Sequence, residues 1–291
     1  MKNLLLTFLL IITFGANATD YMKEFKKSFE TTPNVSLSTH TSFGKLKLIP
    51  WDKNEVDILV QVIVDAGSEK DAEEIFDRIN LEIRGTRDQI EIQSEIGNGS
   101  WRNKNGNFEI NITVHAPEKA KMDLDHSFGD LDFGAFEGKA KIDLSYGHFS
   151  AQQLIHPDSY YNMSYSNTGL IQQVQGGTFN IEFGGLSINK INGNVSIDAG
   201  YSSIDIKEVT PQCREFTLDN SFGSAEIGLN ASCNFAIEAS ASFGSVDLPS
   251  GIKVTTKEKD MNSSTVSGTV GSGGGEFSVN CSFGDVDISF Q

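Results

Sequence analysis

The sequence predicts an all-β protein whose larger part is a β-solenoid of 18–21-residue coils, preceded by a β-rich block with one short helix. The first observation is a repeat. A small residue, an aromatic and usually Gly are followed by two apolar residues one apart. The unit reads SFGKLKL from Ser42, SFGDLDF from Ser127, SYGHFSA from Ser145, EFGGLSI from Glu182 and GYSSIDI from Gly200. It continues as SFGSAEI from Ser221, SFGSVDL from Ser242 and SFGDVDI from Ser282, with a degenerate copy at Ser164 and one near Ser264 that lacks its aromatic. The second observation is spacing. From Phe128 the aromatics stand at Phe128, Tyr146, Tyr165, Phe183, Tyr201, Phe222, Phe243 and Phe283, in steps of 18, 19, 18, 18, 21, 21 and 40. The last step reads as two coils. This period is too short for propeller blades or helical repeats. It suits a coil of short strands and turns that completes its core only by stacking on neighbours. The third observation is composition: 28 Gly and 20 Phe against 6 Pro favour many tight turns in a β-rich body.

Parity assigns the core. Four residues before each aromatic stand Leu124, Ile142, Tyr161, Phe179, Ile197, Leu218, Ala239 and Val279. Two before stand His126, Leu144, Met163, Ile181, Ala199, Asn220, Ala241 and Cys281. Alternate residues of a strand share a face, so these mostly apolar columns predict an aromatic ladder that points inward as a structural element. The alternative is an outward ladder that stacks on sugar rings. The Gly after the aromatic reads as a bulge or corner. Three before the aromatic, Asp, Asn and Ser recur. Four after it stand Asp132, Asp205, Glu226, Asp247 and Asp287. A solvated acidic face is the reading adopted for these columns. Calcium is the alternative, without the nonapeptide calcium repeat that would support it. No cofactor is expected otherwise.

Before the repeats, Lys2, the apolar run Leu4 to Phe14 and Ala16-Asn17-Ala18 have the three-part form of a signal peptide over residues 1–18. The run is too short to span a membrane, and no later segment is apolar enough to do so. The block 19–115 follows. Val56 to Val64 reads as a strand, and 68–80 as a helix capped by Ser68 with Ala72, Ile75, Phe76 and Ile79 on one face. Leu81 to Arg84, Gln89 to Gln93 and Phe108 to Val114 read as strands, and Trp101 as a packing anchor in a polar loop. Repeats then fill 116–291.

Charge and motifs limit the function. With 39 acidic and 23 basic residues the formal net charge is −16, which argues against nucleic acid or an anionic membrane surface as partner. The five His form no metal-binding spacing, and no nucleophile elbow or phosphate loop is present. Arg214 is the one Arg of 116–291, a poor endowment for handling anionic polysaccharide. Cys213 and Cys233 lie 20 residues apart, about one coil, and form a candidate disulfide. Cys281 has inward parity. The last unit ends near Gln291, which leaves a solenoid edge open to a second copy.

The block VDILVQVIVDAGSEKDAEEIFDRINLEI, the stretch INITVHAPEKAKMDL and the run SFGDLDFGAFEGKAKIDLSYG resemble, in this order, the bacterial putative-adhesin family of exported β-solenoid proteins. The resemblance covers nearly all of the chain after residue 18. It implies a right-handed single-stranded β-helix in the cell envelope and carries no catalytic residues to transfer. The expectation is therefore a non-catalytic, exported structural or binding module whose partner is a protein or glycan. The alternatives are a carbohydrate-active β-helix enzyme, either polysaccharide lyase or glycosidase, and a periplasmic envelope-stress component.

Overall fold

The computed structural model of the chain describes residues 12–14, 20–97 and 106–291. Lys2, Ala16-Asn17-Ala18 and Trp101 lie outside the described residues. The described chain is all-β with one short helix and divides into two compact units, 1–134 and 135–291. The first two SFG units, at Ser42 and Ser127, belong to the first of these.

Unit 1 contains β1 (Ile12–Phe14), β2 (Asp20–Glu30), β3 (Ser36–Ser42), β4 (Leu46–Trp51), β5 (Glu55–Ala66), α1 (Glu69–Phe76), β6 (Ile79–Gly85), β7 (Gln89–Ile96), β8 (Gly106–Pro117), β9 (Lys121–Ser127) and β10 (Leu131–Phe133). One sheet runs β1-β2-β5-β8-β4-β10 and the other β6-β7-β3-β9. In β5 the alternation expected from sequence is realised: Val56, Ile58, Val60, Val62 and Val64 are all buried. Its antiparallel neighbour β2 pairs with it residue for residue from Asp20–Asp65 to Glu30–Glu55. Sequence reading does not find β2, because among its eleven residues Phe29 alone is buried. The helix is shorter than expected. Ser68 Oγ accepts the Asp71 amide at 3.2 Å, and Ala72 and Ile75 are buried. Ile79 leaves the helix and opens β6, because antiparallel pairing with Ile96 of β7 takes over there. The two SFG units stack in register although far apart in sequence, β3 on β9 and β4 on β10, both parallel.

Unit 2 repeats one pattern. The strand before each aromatic lies in one sheet: β11 (Ala140–Ser145), β13 (Tyr160–Ser164), β15 (Gly177–Glu182), β17 (Val195–Gly200), β19 (Glu215–Ser221), β21 (Phe235–Ser242) and β25 (Gly275–Ser282). The strand after it lies in the other: β12 (Phe149–Leu154), β14 (Gly169–Val174), β16 (Gly185–Ile191), β18 (Ser203–Val209), β20 (Ala225–Leu229), β22 (Val246–Asp247) and β26 (Val286–Phe290). The repeats pair in parallel and in register, as Ile142–Tyr161, Tyr161–Phe179 and Phe179–Ile197 show. These columns are buried, as parity predicts.

Spatial order departs from chain order at the end. The sheets run β17-β19-β25-β21 and β18-β20-β26-β22, so the last repeat lies between the two that precede it in sequence. Residues 253–270 do not form a degenerate coil. They make the hairpin β23 (Lys253–Lys259) and β24 (Ser263–Val270), which extends the first sheet by antiparallel pairing on β21. The hairpin covers this end of the first sheet, whereas the second sheet ends on the two-residue strand β22. In the outermost strand β23, all of whose residues are exposed, Lys257 lies opposite buried Val266 and Lys259 opposite buried Ser264, so register puts both cations on the same side of the sheet as those buried residues. Charge in that position opposes the addition of another strand.

At each SFG corner the chain passes from one sheet to the other. The Tyr165 amide donates to Glu182 O at 2.8 Å, Phe183 to Gly200 O at 2.9 Å and Tyr201 to Ser221 O at 2.7 Å. Hydrogen bonding between repeats thus continues around the bend. Gly follows the aromatic because a neighbouring carbonyl occupies the space of its missing side chain. A Cβ on Gly223 would stand 1.9 Å from Ser202 O, and one on Gly284 would stand 2.0 Å from Gly223 O. Two polar residues in the buried column serve such corners. Asn220 donates to Ser202 O at 3.1 Å. His126 Nε2 lies 3.1 Å from Gly44 O, the equivalent atom of unit 1, and its Nδ1 lies 2.9 Å from Thr41 Oγ1. With Nε2–H donating to the carbonyl, Nδ1 is left to accept the threonine hydroxyl, which describes a neutral ring.

Two predictions follow from this corner. Gly223→Ala should cost roughly 1–3 kcal/mol in urea unfolding, whereas Gly67→Ala, where nothing lies within 4 Å of the new Cβ, should stay near wild type. Burial holds the His126 pKa below the usual histidine value, against the opposing pull of its Gly44 and Thr41 hydrogen bonds and of Asp125 and Asp130. The unfolded chain then binds the extra proton first, so stability present above pH about 6.5 is lost as pH falls below it. His126→Asn, which keeps a donor for the Gly44 carbonyl, should flatten that part of the stability–pH curve. An unchanged curve would remove His126 as its source.

Candidate functional site

The aromatic column does not point inward. Phe128, Tyr146, Tyr165, Phe183, Tyr201, Phe222, Phe243 and Phe283 are each 45–57% exposed. The physical reason lies in the backbone. These eight residues and Phe43 all have φ between +50° and +61°. A left-handed residue breaks strand alternation, so the side chain that parity sends into the core turns out to solvent. Such a conformation costs about 1–2 kcal/mol for a residue with a Cβ. Glycine would avoid this cost, yet the sequence places an aromatic there every time.

Ring stacking offsets the cost. In unit 2 the rings follow the spatial order Tyr146, Tyr165, Phe183, Tyr201, Phe222, Phe283, Phe243. Successive centroids are 4.6–5.2 Å apart and ring planes lie within 10° of parallel. Each pair contributes about 0.5–1.5 kcal/mol beyond area burial. Unit 1 carries a shorter set. Phe43 stacks on Phe128 at 5.3 Å, and Phe108 leans on Phe43 at 59°. These three rings border a depression of about 620 Å³ that also includes Lys45, Lys47, Gln61 and Asn111. Phe108 carries no sequence signal for this role, because it belongs to an extended strand outside the SFG motif.

Stacking decides which part of each ring a partner meets. Along the unit 2 ladder, neighbouring rings cover one another's faces, and ring edges line the surface. Sugar rings stack on aromatic faces, so the ladder gives a glycan little to stack on along its length. The flanking residues are small and mostly uncharged. Ser145, Ser164, Gly200, Ser221, Ser282 and Ser242 precede six of the seven rings, and Glu182 precedes the seventh.

The other predicted features are placed as follows. Cys213 and Cys233 close equivalent turns in successive repeats, their amides donating to Thr210 O and Asn230 O. They are free thiols, not the disulfide expected from sequence. The chain runs from Cys213 into β19 and from Cys233 into β21, and β25 lies between those strands. Each thiol donates to a separate carbonyl, Glu215 O at 3.4 Å and Val209 O at 3.3 Å. Burial pushes their pKa values up to about 12 and about 11. Cys281 is also a buried free thiol.

The polar columns face outward. Asn162 donates to Asp143 at 3.0 Å and Asn180 to Asn162 at 3.0 Å, while Asp198 and Asp219 further along the same column are neighbours in register. On the other sheet Asp205, Glu226, Asp287 and Asp247 stand in adjacent register, with Lys207 on Asp205 at 2.7 Å. Among the described residues no group of three or more His, Cys, Asp or Glu side chains is placed to hold a metal ion. No helix among them is long and apolar enough to cross a membrane.

No family model matches the chain, and no curated protein matches it. Solved structures do. The chain is similar to a putative adhesin of Parabacteroides merdae at 11% identity, over 91% of this chain and 96% of that one, with a TM-score of 0.43. It is similar to a putative cell adhesion protein of Clostridium sporogenes at 14% identity, over 93% and 100%, with a TM-score of 0.26. A putative adhesin of Bacteroides fragilis aligns at 9% identity over 92% and 97%, with a TM-score of 0.31.

The left-handed corner inverts the usual ranking of two substitutions. In an ordinary strand Gly is less stable than Ala. At Phe222, Phe222→Gly should be more stable than Phe222→Ala by roughly 1–2 kcal/mol, because Gly relieves the positive φ. Both variants lose the ring contacts, so both should fall below wild type in chemical denaturation. An Ala variant as stable as the Gly variant would mean that the corner does not hold the aromatic in strain.

Proposed function

We propose that the chain is an exported, non-catalytic binding module of the cell envelope, adhesin-like in construction, that meets its partner along the exposed aromatic ladder. In this reading the two parallel sheets of unit 2 are the walls of a right-handed single-stranded β-solenoid, with one SFG corner per coil. The observation that carries the reading is the ladder itself. Backbone strain at a repeated position, with apolar side chains held in solvent, is characteristic of functional surfaces. Each half-exposed ring offers about 100 Å² of surface, so seven offer roughly 700 Å². The largest apolar patch on a typical monomer is about 300–600 Å².

Export in this reading rests on the signal-like segment: Lys2, the apolar run from Leu4, and Ala16-Asn17-Ala18. Cleavage after Ala18 would also remove strand β1 and leave β2 as the edge of its sheet.

The test combines two measurements on cells expressing the full sequence. The purified protein should begin near Thr19 by N-terminal sequencing. Protease added to intact cells should cleave it while a periplasmic control survives. An uncut Met1 terminus in the cytosolic fraction would overturn export. Protection until the outer membrane is opened would move the module to the periplasm and end the surface-adhesin reading.

A further inference from the structure

We infer that the unit 2 ladder is a docking ridge for the apolar interface of an uncharged or zwitterionic lipid surface. The inference rests on the proposed role of the ladder as the contact face and names its partner.

Charge is the first argument. The seven corners, taken from the residue before each aromatic to the second residue after it, include two carboxylates, Glu182 and Asp285, in a chain of net charge −16. Asp285 is already engaged, accepting the Ser245 amide at 2.7 Å and its hydroxyl at 2.8 Å. The rest of the strip is Ser, Gly, Asn, His148 and the rings themselves. A surface with so little charge is inexpensive to desolvate. It complements a neutral, apolar partner and does not complement a charged one.

Shape is the second argument. The ladder sits where the chain bends from one sheet to the other, so its rings form a ridge, not a groove. It is one ring wide and seven rings long, with steps of 4.6–5.2 Å. A flat, rigid protein surface would meet such a ridge along a line. A fluid interface closes around it and contacts each exposed ring edge. Ring chemistry is the third argument. Covered faces disfavour sugar stacking, whereas mixed Phe and Tyr suits the boundary between acyl chains and headgroups. There, rings with one apolar end and one polar end collect. The hydroxyls of Tyr146, Tyr165 and Tyr201 supply the polar ends.

The acidic body sets the lipid preference. At net −16 the protein is repelled by an anionic surface, and salt screens that repulsion. Binding should therefore be strongest to phosphatidylcholine vesicles. It should weaken when phosphatidylglycerol is added at low salt, and recover as salt is raised.

The experiment is co-sedimentation of the mature full chain with vesicles of these two compositions. It is run beside the triple variant Tyr165→Gly, Tyr201→Gly, Phe222→Gly. Glycine is chosen because it accepts the left-handed corner without strain. The expected result is pelleting of wild type with phosphatidylcholine, reduced about tenfold or more in the variant. Hydroxyl-radical footprinting of wild type guards against a variant that fails to fold. Vesicles should protect the ladder rings from oxidation while Met261, which is fully exposed, stays reactive.

Absence of pelleting and protection overturns the inference, as does pelleting that follows anionic lipid. A dimeric scattering mass without lipid, lost in the triple variant, overturns it in favour of a second copy. If vesicles fail but the variant loses its retention in the envelope fraction of cells, the lipid surface is wrong and the binding-face reading stands. If neither changes, both fall.

Discussion

A backbone corner held at φ near +55° sets the geometry of every repeat. It turns the chain from one sheet into the other, and it brings the next residue so close to a neighbouring carbonyl that several repeats require Gly there. It also throws an aromatic side chain outward. The corner is costly in isolation. It persists because stacking repeats at strand spacing places each ring on the next, and because amide hydrogen bonds run through the bend without a gap. Sheet pairing, ring stacking and corner strain are thus one coupled system. A single repeat would keep the strain and lose both compensations, which is the physical reason such units occur in series.

The same corner explains the polar residues of the core. Asn220 and His126 occupy a column otherwise filled by Leu144, Met163, Ile181, Ala199, Ala241 and Cys281. By sequence alone each looks like a defect or a candidate ligand. Each instead donates to the carbonyl of the residue after a neighbouring aromatic, Ser202 in one case and Gly44 in the other. A buried carbonyl left without a donor would cost more than the polar side chain that reaches it.

Much of this fold is legible in the sequence, and the failures share a cause. The columns two and four before each aromatic are buried, the strand at Val56 to Val64 is present, and Ser68 caps the helix. Parity fails at the aromatic because alternation assumes extended backbone throughout, and one left-handed residue reverses the direction of its side chain. β2 escapes notice because its pairing is carried by backbone while its side chains remain largely outside the core. The order of the last repeats escapes because periodicity reads the chain as a line. The 40-residue step between Phe243 and Phe283 is the one mark it leaves: an interval that looks like two coils holds an antiparallel hairpin. The ladder residues are named correctly from sequence; which way they face depends on a dihedral angle that no hydrophobic pattern encodes.

That hairpin bears on how the ladder ends. A sheet of parallel strands has no intrinsic stop, since each edge presents the same unpaired groups to the next strand. Here the direction of pairing reverses at β24, and the outermost strand places Lys257 and Lys259 on the side where apolar residues would otherwise continue the core. A further strand would have to bury those ammonium groups. The Phe243 amide still donates to Asn262 O at 2.6 Å, so the backbone ladder extends one step beyond the ring ladder. Asn262 supplies the carbonyl and no ring. Edge pairing is thereby discouraged where the first sheet ends, and the second ends on a strand of only two residues, while the aromatic ridge is left uncovered. The two kinds of exposed surface are treated oppositely by the sequence, and that contrast favours the ridge over the edge as the face meant to be met.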